Sequence, residues 1–516
     1  MQKSIDQKHL LMIITVFSAL LIVMMGVCRY TQRLTILDIS GLNGRLEKEG
    51  IVLSWSAPPS SKFEKIQIDI QSEEGTDIVM LDPASVSYTF DQGTHGVQYS
   101  FHVKMISDNG AAAAGDTISL LYVDWSQIPD LPLLTIETKN GETPQCNAVE
   151  APKDAFGTTI SGNEYVSAEI TLKKGEETCV HAVGRIKIRG NTSALKAKKP
   201  YKLEFKKPID LMNRGDPSYN SRYWYLLFAP HRMYTEVGLL VSRLLNVEYV
   251  PAIQPINVIM NGKWIGCYDL IESIEPGPRK ISLSDSGFIL EDNAYWWNED
   301  EGNVLPQTEF LMPQMRYTYK YPAASQLSEQ KKENIYRYMT GFESATYAVN
   351  KDNIQYIDED SFAAWLLVHD IIGSTDSAGS NIFLYKYDLD PQNPTSSLLK
   401  IGPPWDFDGS MVDTDCLASI HRDRMLPINS LMQNEHFRSV YKQKWEECAP
   451  TLLDDIKTYL GDYIDTYGEA VNQSWRLDDA CWAFYKKGQT VQGSVSTVVS
   501  WLEEHIKWLD SNMKSI

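Results

Sequence analysis

Two short loops rich in acidic and amide side chains constrain this chain more than any other feature. Residues 374–381 read STDSAGSN, and residues 404–409 read PWDFDG. Between them, β-forming residues lie on both sides of a turn sequence at 390–397, which predicts a hairpin that returns the chain to its starting point. Asp376 and Asp406, 30 positions apart, are therefore expected to meet at one site.

The oxygen atoms of these loops suit a hard divalent cation such as Mg²⁺ or Mn²⁺. We predict that Asn381, Asp406 and Asp408 are metal ligands. The alternative is that they are ordinary turn and cap residues, because Asp, Asn, Ser and Gly are common in surface loops.

Upstream, two predicted strands carry basic side chains on a common face. The sequences RIKIR at 185–189 and YKLEF at 201–205 both alternate with the period of a strand. Between them, GNTS at 190–193 supplies a flexible backbone and hydroxyl groups that donate to phosphate oxygens. A solvated basic face on an edge strand is the alternative, and the downstream acids favour the phosphate interpretation. The predicted phosphate-binding residues are Arg189, Gly190, Asn191, Ser193 and Lys202.

The order and number of these motifs resemble the CotH kinases, a family distantly related to protein kinases. The resemblance rests on an Asp followed five residues later by an Asn, the hairpin, and WDFD at 405–408. Upstream, RIKIRGNTS at 185–193, KPYKLEF at 199–205 and NGKWIGCYDLIE at 261–272 are similar to further blocks of the family. Together these motifs cover about residues 130–415.

The resemblance implies an α+β, two-lobed kinase-like fold and transfer of phosphate from ATP to Ser or Thr hydroxyls of a protein substrate. In this interpretation Asp376 positions or deprotonates the acceptor, and Asp406 and Asn381 hold Mg²⁺ or Mn²⁺. Asp408 assists them, and Lys202 holds the α and β phosphates.

Two glutamates are weaker candidates. Glu272 ends the strand predicted at 268–271, where the resemblance places the junction of the lobes, so we expect ATP's adenine to lie near it. A charged strand end is the alternative. Glu236 lies near the start of a predicted amphipathic helix and is a candidate to orient Lys202. An acid in the first turn also complements the helix dipole, so both interpretations stay open.

Residues 35–124 are predicted to form a separate all-β module. The segments 51–57, 65–70 and 99–105 alternate and are bounded by turn residues. The module resembles a fibronectin type III domain, with Trp55 and Tyr99 in its core. The alternative is that it is the N-terminal lobe of the catalytic domain.

The rest of the chain, residues 125–516, is predicted to form the kinase-like domain. Apolar residues recur at helical spacing over 326–349, 358–372 and much of 434–516. These helices are expected to form the scaffold behind the site.

Residues 1–34 are predicted to anchor the protein in a membrane. Residues 10–27 are 18 uncharged, mostly apolar residues, enough for one bilayer-spanning helix. A cleaved signal peptide is the alternative. Basic residues flank the run almost equally, so they do not fix its orientation. We expect a single-pass cell-membrane protein with an extracytoplasmic domain and a surface or spore-coat protein as its substrate.

Composition excludes several functions. A formal net charge of −19 argues against nucleic-acid binding. The seven cysteines show no zinc-binding spacing, although Cys146 and Cys179 are candidates for a disulfide.

A non-catalytic surface adhesin or scaffold with a kinase-like fold is the alternative function. A metal-dependent phosphodiesterase is disfavoured because no histidine cluster accompanies the acids.

Overall fold

A computed structural model describes most of the chain beyond the N-terminal segment. The described residues are 38–57, 63–107, 110–153, 155, 157–161, 164–228, 232–308, 314–347, 354–375, 381–418, 428–482 and 487–513. They form two compact units. The first extends to Ile128 and includes the segment Asn261–Trp264, and the second comprises Pro129–Met260 and Ile265–Ile516.

The first unit contains two antiparallel sheets, ordered β1-β2-β5 and β4-β3-β6-β7. Their strands are β1 (Ser40–Glu47), β2 (Gly50–Ser56), β3 (Phe63–Ser72), β4 (Gly75–Leu81), β5 (Ser87–Phe90), β6 (Gln98–Ser107) and β7 (Asp116–Leu121).

The two sheets pack face to face through aromatic rings. Phe90 of β5 lies 4.8 Å from Tyr99 and 5.4 Å from Phe101 of β6, measured between ring centroids. Trp55 and Tyr99 are buried, as the alternating pattern predicts. The sandwich thus agrees with the sequence, whereas its likeness to fibronectin type III stays a prediction.

The second unit begins with a closed seven-stranded barrel in the order β11-β12-β13-β14-β16-β15-β8. A two-stranded hairpin, β9–β10, accompanies it. The strands are β8 (Leu133–Thr138), β9 (Asn147–Glu150), β10 (Thr158–Ser161), β11 (Val166–Lys174), β12 (Glu177–Ile188), β13 (Tyr201–Ile209), β14 (Ser221–Leu227), β15 (Ile253–Met260) and β16 (Lys263–Glu272). β15 pairs with β8 in parallel, whereas β12, β13 and β14 pair antiparallel.

A second sheet has the order β18-β17-β19-β20. Its strands are β17 (Phe288–Asn293), β18 (Arg316–Tyr321), β19 (Ile382–Lys386) and β20 (Lys400–Ile401). β19 and β20 pair antiparallel, with Leu384 opposite Ile401, so the hairpin predicted between the two acidic loops is confirmed.

The α-helices of the described residues all lie in the second unit. They are α1 (Tyr234–Leu244), α2 (Glu329–Tyr347), α3 (Glu359–Ile371), α4 (Ile428–Gln433), α5 (Glu435–Cys481) and α6 (Val491–Asn512). The helical segments predicted from apolar spacing are therefore present. Within the described residues, none of these helices combines the length and apolarity needed to cross a bilayer. The predicted anchor at 10–27 lies outside the described residues.

The second unit has two hydrophobic cores. One fills the barrel and includes Leu203 and Trp224, and the other lies among the helices and the second sheet and includes Phe288 and Trp365. These sheets and helices give a mixed α and β structure, as predicted. The cysteines of the described residues, Cys146 and Cys179 included, are free thiols.

A buried ion pair joins the longest helix to the barrel. The Lys198 ammonium lies 2.6 Å from the Asp478 carboxylate of α5, and both side chains are 1% exposed. Lys198 also donates to the carbonyl oxygen of Cys267, and Asp478 accepts the backbone N–H of the same residue. All these groups are therefore satisfied within the fold.

Candidate active site

The barrel presents lysines on the outer face of β12 and β13. Ile186 points into the barrel core, so its neighbour Lys187 points outward, directly opposite Lys202 in the strand register. The Lys202 ammonium lies 4.1 Å from the ring centroid of Tyr223 and 5.8 Å from that of Tyr225. These rings form an aromatic wall beside the ammonium.

The surroundings of Lys202 favour its neutral form more than water does. Burial, with the nearby cations Lys320 and Arg189, lowers the pKa of Lys202 to about 8, against the opposing effect of Glu204 and Glu275. Lys202 therefore titrates close to neutral pH, and an anion bound beside it would favour its charged form.

Arg189 connects the barrel with the loop at residues 404–409, called the acidic loop from here on. Its guanidinium lies 4.7 Å from the ring centroid of Tyr225 on β14 and 6.0 Å from that of Trp405. The Tyr225 and Trp405 rings themselves meet edge to face at 5.8 Å. A cation is thus held where the barrel meets the loop that contains Asp406.

The loop after β12 requires a glycine. Gly190 has a φ of +87°, and a Cβ there would lie 2.3 Å from the Ser193 hydroxyl oxygen. The Arg189 N–H donates to the Pro200 carbonyl and closes the loop at its base. Asn191 is partly exposed in this loop. The predicted phosphate-binding segment is therefore a tight, defined turn.

Asp406 occupies a constrained position in the acidic loop. Its φ of +61° is unusual for a residue other than glycine, and its neighbours Trp405 and Phe407 are both buried. Asn381 donates its amide N–H to the Asp406 carboxylate at 3.2 Å. Asp408 is exposed, with its backbone nitrogen 3.5 Å from Asp406 Oδ1. Two predicted metal ligands are therefore in direct contact.

Asp376 lies outside the described residues, which end at Thr375 and resume at Asn381. The Thr375 N–H donates to the Gly409 carbonyl at 3.3 Å, and Asn381 contacts Asp406. The residues on both sides of the segment 376–380 thus contact the acidic loop.

Phe407 fixes the acidic loop to the helical core. A Cβ on Gly238 of α1 would lie 2.5 Å from the Phe407 ring, so only a glycine lets this ring lie against the helix. On its other side, Phe407 lies 6.0 Å from the His369 ring of α3. The backbone that carries Asp406 is therefore held between two helices.

Most of the predicted site residues line two cavities that share Arg189 and Trp405. The larger, about 450 Å³, has the size of a small-molecule site. Its polar lining includes Arg189, Lys202, Glu275, Glu291, Lys320 and Asn381. The smaller is lined by Arg189, Ser193, Asp406 and Asp408, among others. The basic strands and the acidic loop thus meet at these two adjoining cavities, which together form the cleft referred to below.

The Glu272 carboxylate is hydrogen-bonded to groups outside both cavities. Its carboxylate accepts from Arg214 at 2.8 Å and from the backbone N–H of Ala252 at 2.9 Å, and it lines neither cavity. Glu275, three residues further along the chain, lines the larger cavity and accepts from Lys280 at 2.9 Å. The strand end predicted to lie near an adenine therefore reaches the cleft through Glu275.

Glu236 is buried on α1, and its Oε2 has no hydrogen-bond partner among the described residues. Burial and the nearby Asp269 raise its pKa well above the ordinary value. The acids whose charges raise the pKa of Lys202 are Glu204 and Glu275. The role of Glu236 as the residue that orients Lys202 stays a prediction.

The sequence missed a pair of charged residues in the cleft. Lys320 of β18 places its ammonium 2.6 Å from Glu291 of β17 and 3.2 Å from Glu299. The alternation of YTYKY at 317–321 indicates a strand but does not reveal which acids face the lysine, since the partners lie 29 and 21 positions upstream.

The residues present fit a hard divalent cation bound together with phosphates. The Asn381 amide and the Asp406 carboxylate lie side by side, with the amide nitrogen donating to Asp406 Oδ2, and each side chain has an oxygen that suits such a cation. Within the ranges that the structure describes, no three His, Cys, Asp or Glu side chains cluster as a metal site. Mg²⁺ is often held by only one or two carboxylates together with water and substrate phosphates, so this donor set is sufficient.

Comparison with solved structures gave three representative likenesses. A fibronectin type III domain of human collagen XX is 19% identical over 16% of this chain and 88% of its own, with a TM-score of 0.15. A two-domain fibronectin type III segment of chicken tenascin is 15% identical over 29% and 99%, with a TM-score of 0.16. The twitchin kinase region from C. elegans is 8% identical over 78% and 80%, also at 0.16. Scores this low carry no argument about fold or function.

Comparison with protein families is decisive. No curated protein matches the chain. The family model described as CotH kinase protein matches residues 186–509, well over half of the chain. This range includes the end of β12, all of β13, the turn at Gly190 and the acidic loop described above. The protein belongs to the CotH kinase family.

Proposed function

We propose that this protein is an atypical protein kinase that transfers phosphate from ATP to Ser or Thr hydroxyls of a protein. The observation that carries the proposal is the contact between Asn381 and Asp406, in the cleft of two adjoining cavities that Lys202 and Arg189 also line. Oxygen ligands for a metal and cations for phosphates thus lie together, as phosphoryl transfer requires.

The basic side chains bind the triphosphate. Lys202 lies close enough to Arg189 for the two charges to interact, so a polyanion between them relieves their repulsion. Arg189 keeps its orientation because its guanidinium stacks on Tyr225. The turn at Gly190 adds backbone N–H groups and the Ser193 hydroxyl.

The acidic side chains serve the metal and the acceptor. Asp406 and Asn381 hold Mg²⁺ or Mn²⁺, and Asp408, on the same turn, assists them. When bound, the metal neutralises charge on the phosphates. Asp376 is assigned to the acceptor, orienting its hydroxyl and accepting its proton.

The test is transfer of labelled phosphate from ATP to casein, or to the protein itself, in the presence of Mn²⁺. We expect transfer by the wild type and loss of more than 100-fold in Asp406→Ala and Asp376→Asn, since each removes a group that acts in the transition state. Asp390→Ala, which changes an acid in the exposed turn between β19 and β20, is the matched control and should retain full activity.

Other outcomes distinguish the alternatives. ATP binding without transfer by the wild type would favour a non-catalytic scaffold, and hydrolysis of a phosphodiester without ATP would favour a phosphodiesterase.

The proposed membrane location rests on residues 10–27. Recovery of the intact protein in the membrane fraction, and its release when these residues are deleted, would support the anchor.

A further inference from the structure

Glu291 holds two different parts of the cleft with one carboxylate. It lies on β17 opposite Phe383 of β19, and its side chain is 12% exposed. Its Oε2 lies 2.6 Å from the Lys320 ammonium, and its Oε1 accepts the backbone N–H of Asn381 at 3.2 Å. The carboxylate therefore joins β18 to Asn381, the residue directly before β19.

Two hydrogen bonds define the conformation of Asn381. It has a φ of +66°, in the left-handed region that Asn adopts more readily than most residues other than glycine. Its N–H donates to Glu291 while its side-chain amide donates to Asp406. A fixed backbone sets the direction of the amide, and hence of the oxygen that would face a metal.

Lys320 makes Glu291 compatible with a phosphate site. Burial alone would lower the pKa of Lys320, but Glu291 and Glu299 outweigh burial and raise that pKa above its ordinary value. The ammonium thus stays charged and balances a carboxylate that would otherwise repel the triphosphate. Lys320 lines the same cavity as Lys202.

We propose that Glu291 is a positioning residue for the metal–nucleotide complex, holding Asn381 in its metal-binding orientation while Lys320 cancels the charge of the carboxylate. The proposal rests on the proposed function. It adds an orienting group behind the metal ligands, on a strand that none of the sequence motifs contains.

The test measures binding of Mn²⁺ with a non-hydrolysable ATP analogue by calorimetry, so it does not depend on turnover. We expect Glu291→Ala to weaken Mn²⁺ binding by about 10-fold, the usual effect of losing an orienting partner of a metal ligand. Glu291→Gln keeps an oxygen acceptor for the Asn381 N–H and should recover most of that loss. Equal losses in the Ala and Gln variants would contradict the role of this acceptor.

Glu299→Gln is the matched control. Glu299 also contacts Lys320, at 3.2 Å, but the backbone N–H of Asn381 donates to Glu291. The control should therefore bind Mn²⁺ within about twofold of the wild type, since no metal ligand loses its support. A loss equal to that of Glu291→Ala would show that only the charge around Lys320 matters and would overturn the proposal.

A double-mutant cycle with Asn381→Ala separates positioning from general damage. If Glu291 acts through Asn381, adding Glu291→Ala to Asn381→Ala should cost little more Mn²⁺ affinity, whereas additive losses would overturn the proposal. Should Glu291→Ala fail to fold, Lys320→Met gives a second test. Lys320→Met leaves the negative charge of Glu291 without its cation, so binding of the ATP analogue in the absence of metal should weaken several-fold. An unchanged affinity for the analogue would contradict the inference.

The two proposals fail in different ways. A wild type that binds neither the analogue nor Mn²⁺ would overturn the proposed function and, with it, this inference. A wild type that binds both, with a Glu291→Ala variant that binds equally well, would overturn this inference alone.

Discussion

Lys202 lies among cations and acids in a cleft partly closed to water, and its pKa of about 8 reflects that balance. The ammonium is charged below this pH and neutral above it. ATP phosphates favour the charged form, so ATP binding takes up a proton as the pH rises past the pKa.

We therefore expect ATP affinity, measured without metal, to fall as the pH rises from about 7 to 9.5, by at most tenfold per pH unit because one proton is linked. Calorimetric titrations over this range check the expectation. Lys202→Arg is the control, since a guanidinium keeps its charge and should give a flatter profile. Identical profiles for the two proteins would exclude Lys202 as the titrating group.

A substitution of Gly190 tests a second single residue of the proposed ATP site. Gly190→Ala places a methyl group against Ser193 in a left-handed backbone, so we expect a loss of about 1–2 kcal/mol in stability and a clear loss of ATP affinity. Gly215→Ala is matched, because Gly215 has a φ of +80° with nothing within 4 Å of the added carbon. It should lose stability but keep its ATP affinity, as measured by thermal unfolding and calorimetry.

Among the elements of the fold, the packing of α5 against the barrel depends on the buried Lys198–Asp478 ion pair. Lys198→Met leaves the Asp478 carboxylate buried without its cation, which typically costs about 3–5 kcal/mol. We expect a large fall in the urea midpoint of the second unit. Lys198→Met with Asp478→Leu should recover much of it, because no charge is then left buried. A fall of under 1 kcal/mol in the single variant would contradict this account.

Local patterns predicted many elements but not the contacts between distant ones. The alternation at 185–189 and 201–205 identified β12 and β13, and the turn at 390–397 identified the hairpin of β19 and β20. The Glu291–Lys320 pair joins strands separated in sequence by residues 294–315, and no local periodicity encodes such a pairing. The surroundings of Glu272 and Glu236 could not be predicted either, since their neighbours come from remote segments, and the roles of both residues stay predictions.

For the molecule as a whole, the two compact units allow a test of where the nucleotide binds. Basic strands and acidic loop both belong to the second unit. ATP with Mn²⁺ should raise the unfolding temperature of that unit alone, since ligand at 100 times its Kd stabilises the native state by about 2.7 kcal/mol. Scanning calorimetry checks this, with Asp406→Ala as the variant that should lose the shift. Equal shifts in both transitions would contradict the assignment.

Family membership was within reach of the sequence because the motifs are short and contiguous. The roles of the candidate site residues stay predictions. Arg189, Ser193, Lys202, Asn381, Asp406 and Asp408 do line one cleft. What the sequence did not contain is the support behind them, such as the stacking of Arg189 on Tyr225 and the Glu291 carboxylate behind Asn381. Such support depends on how the barrel and the second sheet come together.

The packing of Phe407 against Gly238 has a mechanical consequence. With no side chain between ring and helix, there is no compressible layer to absorb a displacement. Any rearrangement that draws Asp406 toward or away from the cleft must push or release α1 through this contact. A fluorescent aromatic residue introduced on α1 should consequently change its emission when a nucleotide binds, without contacting the nucleotide.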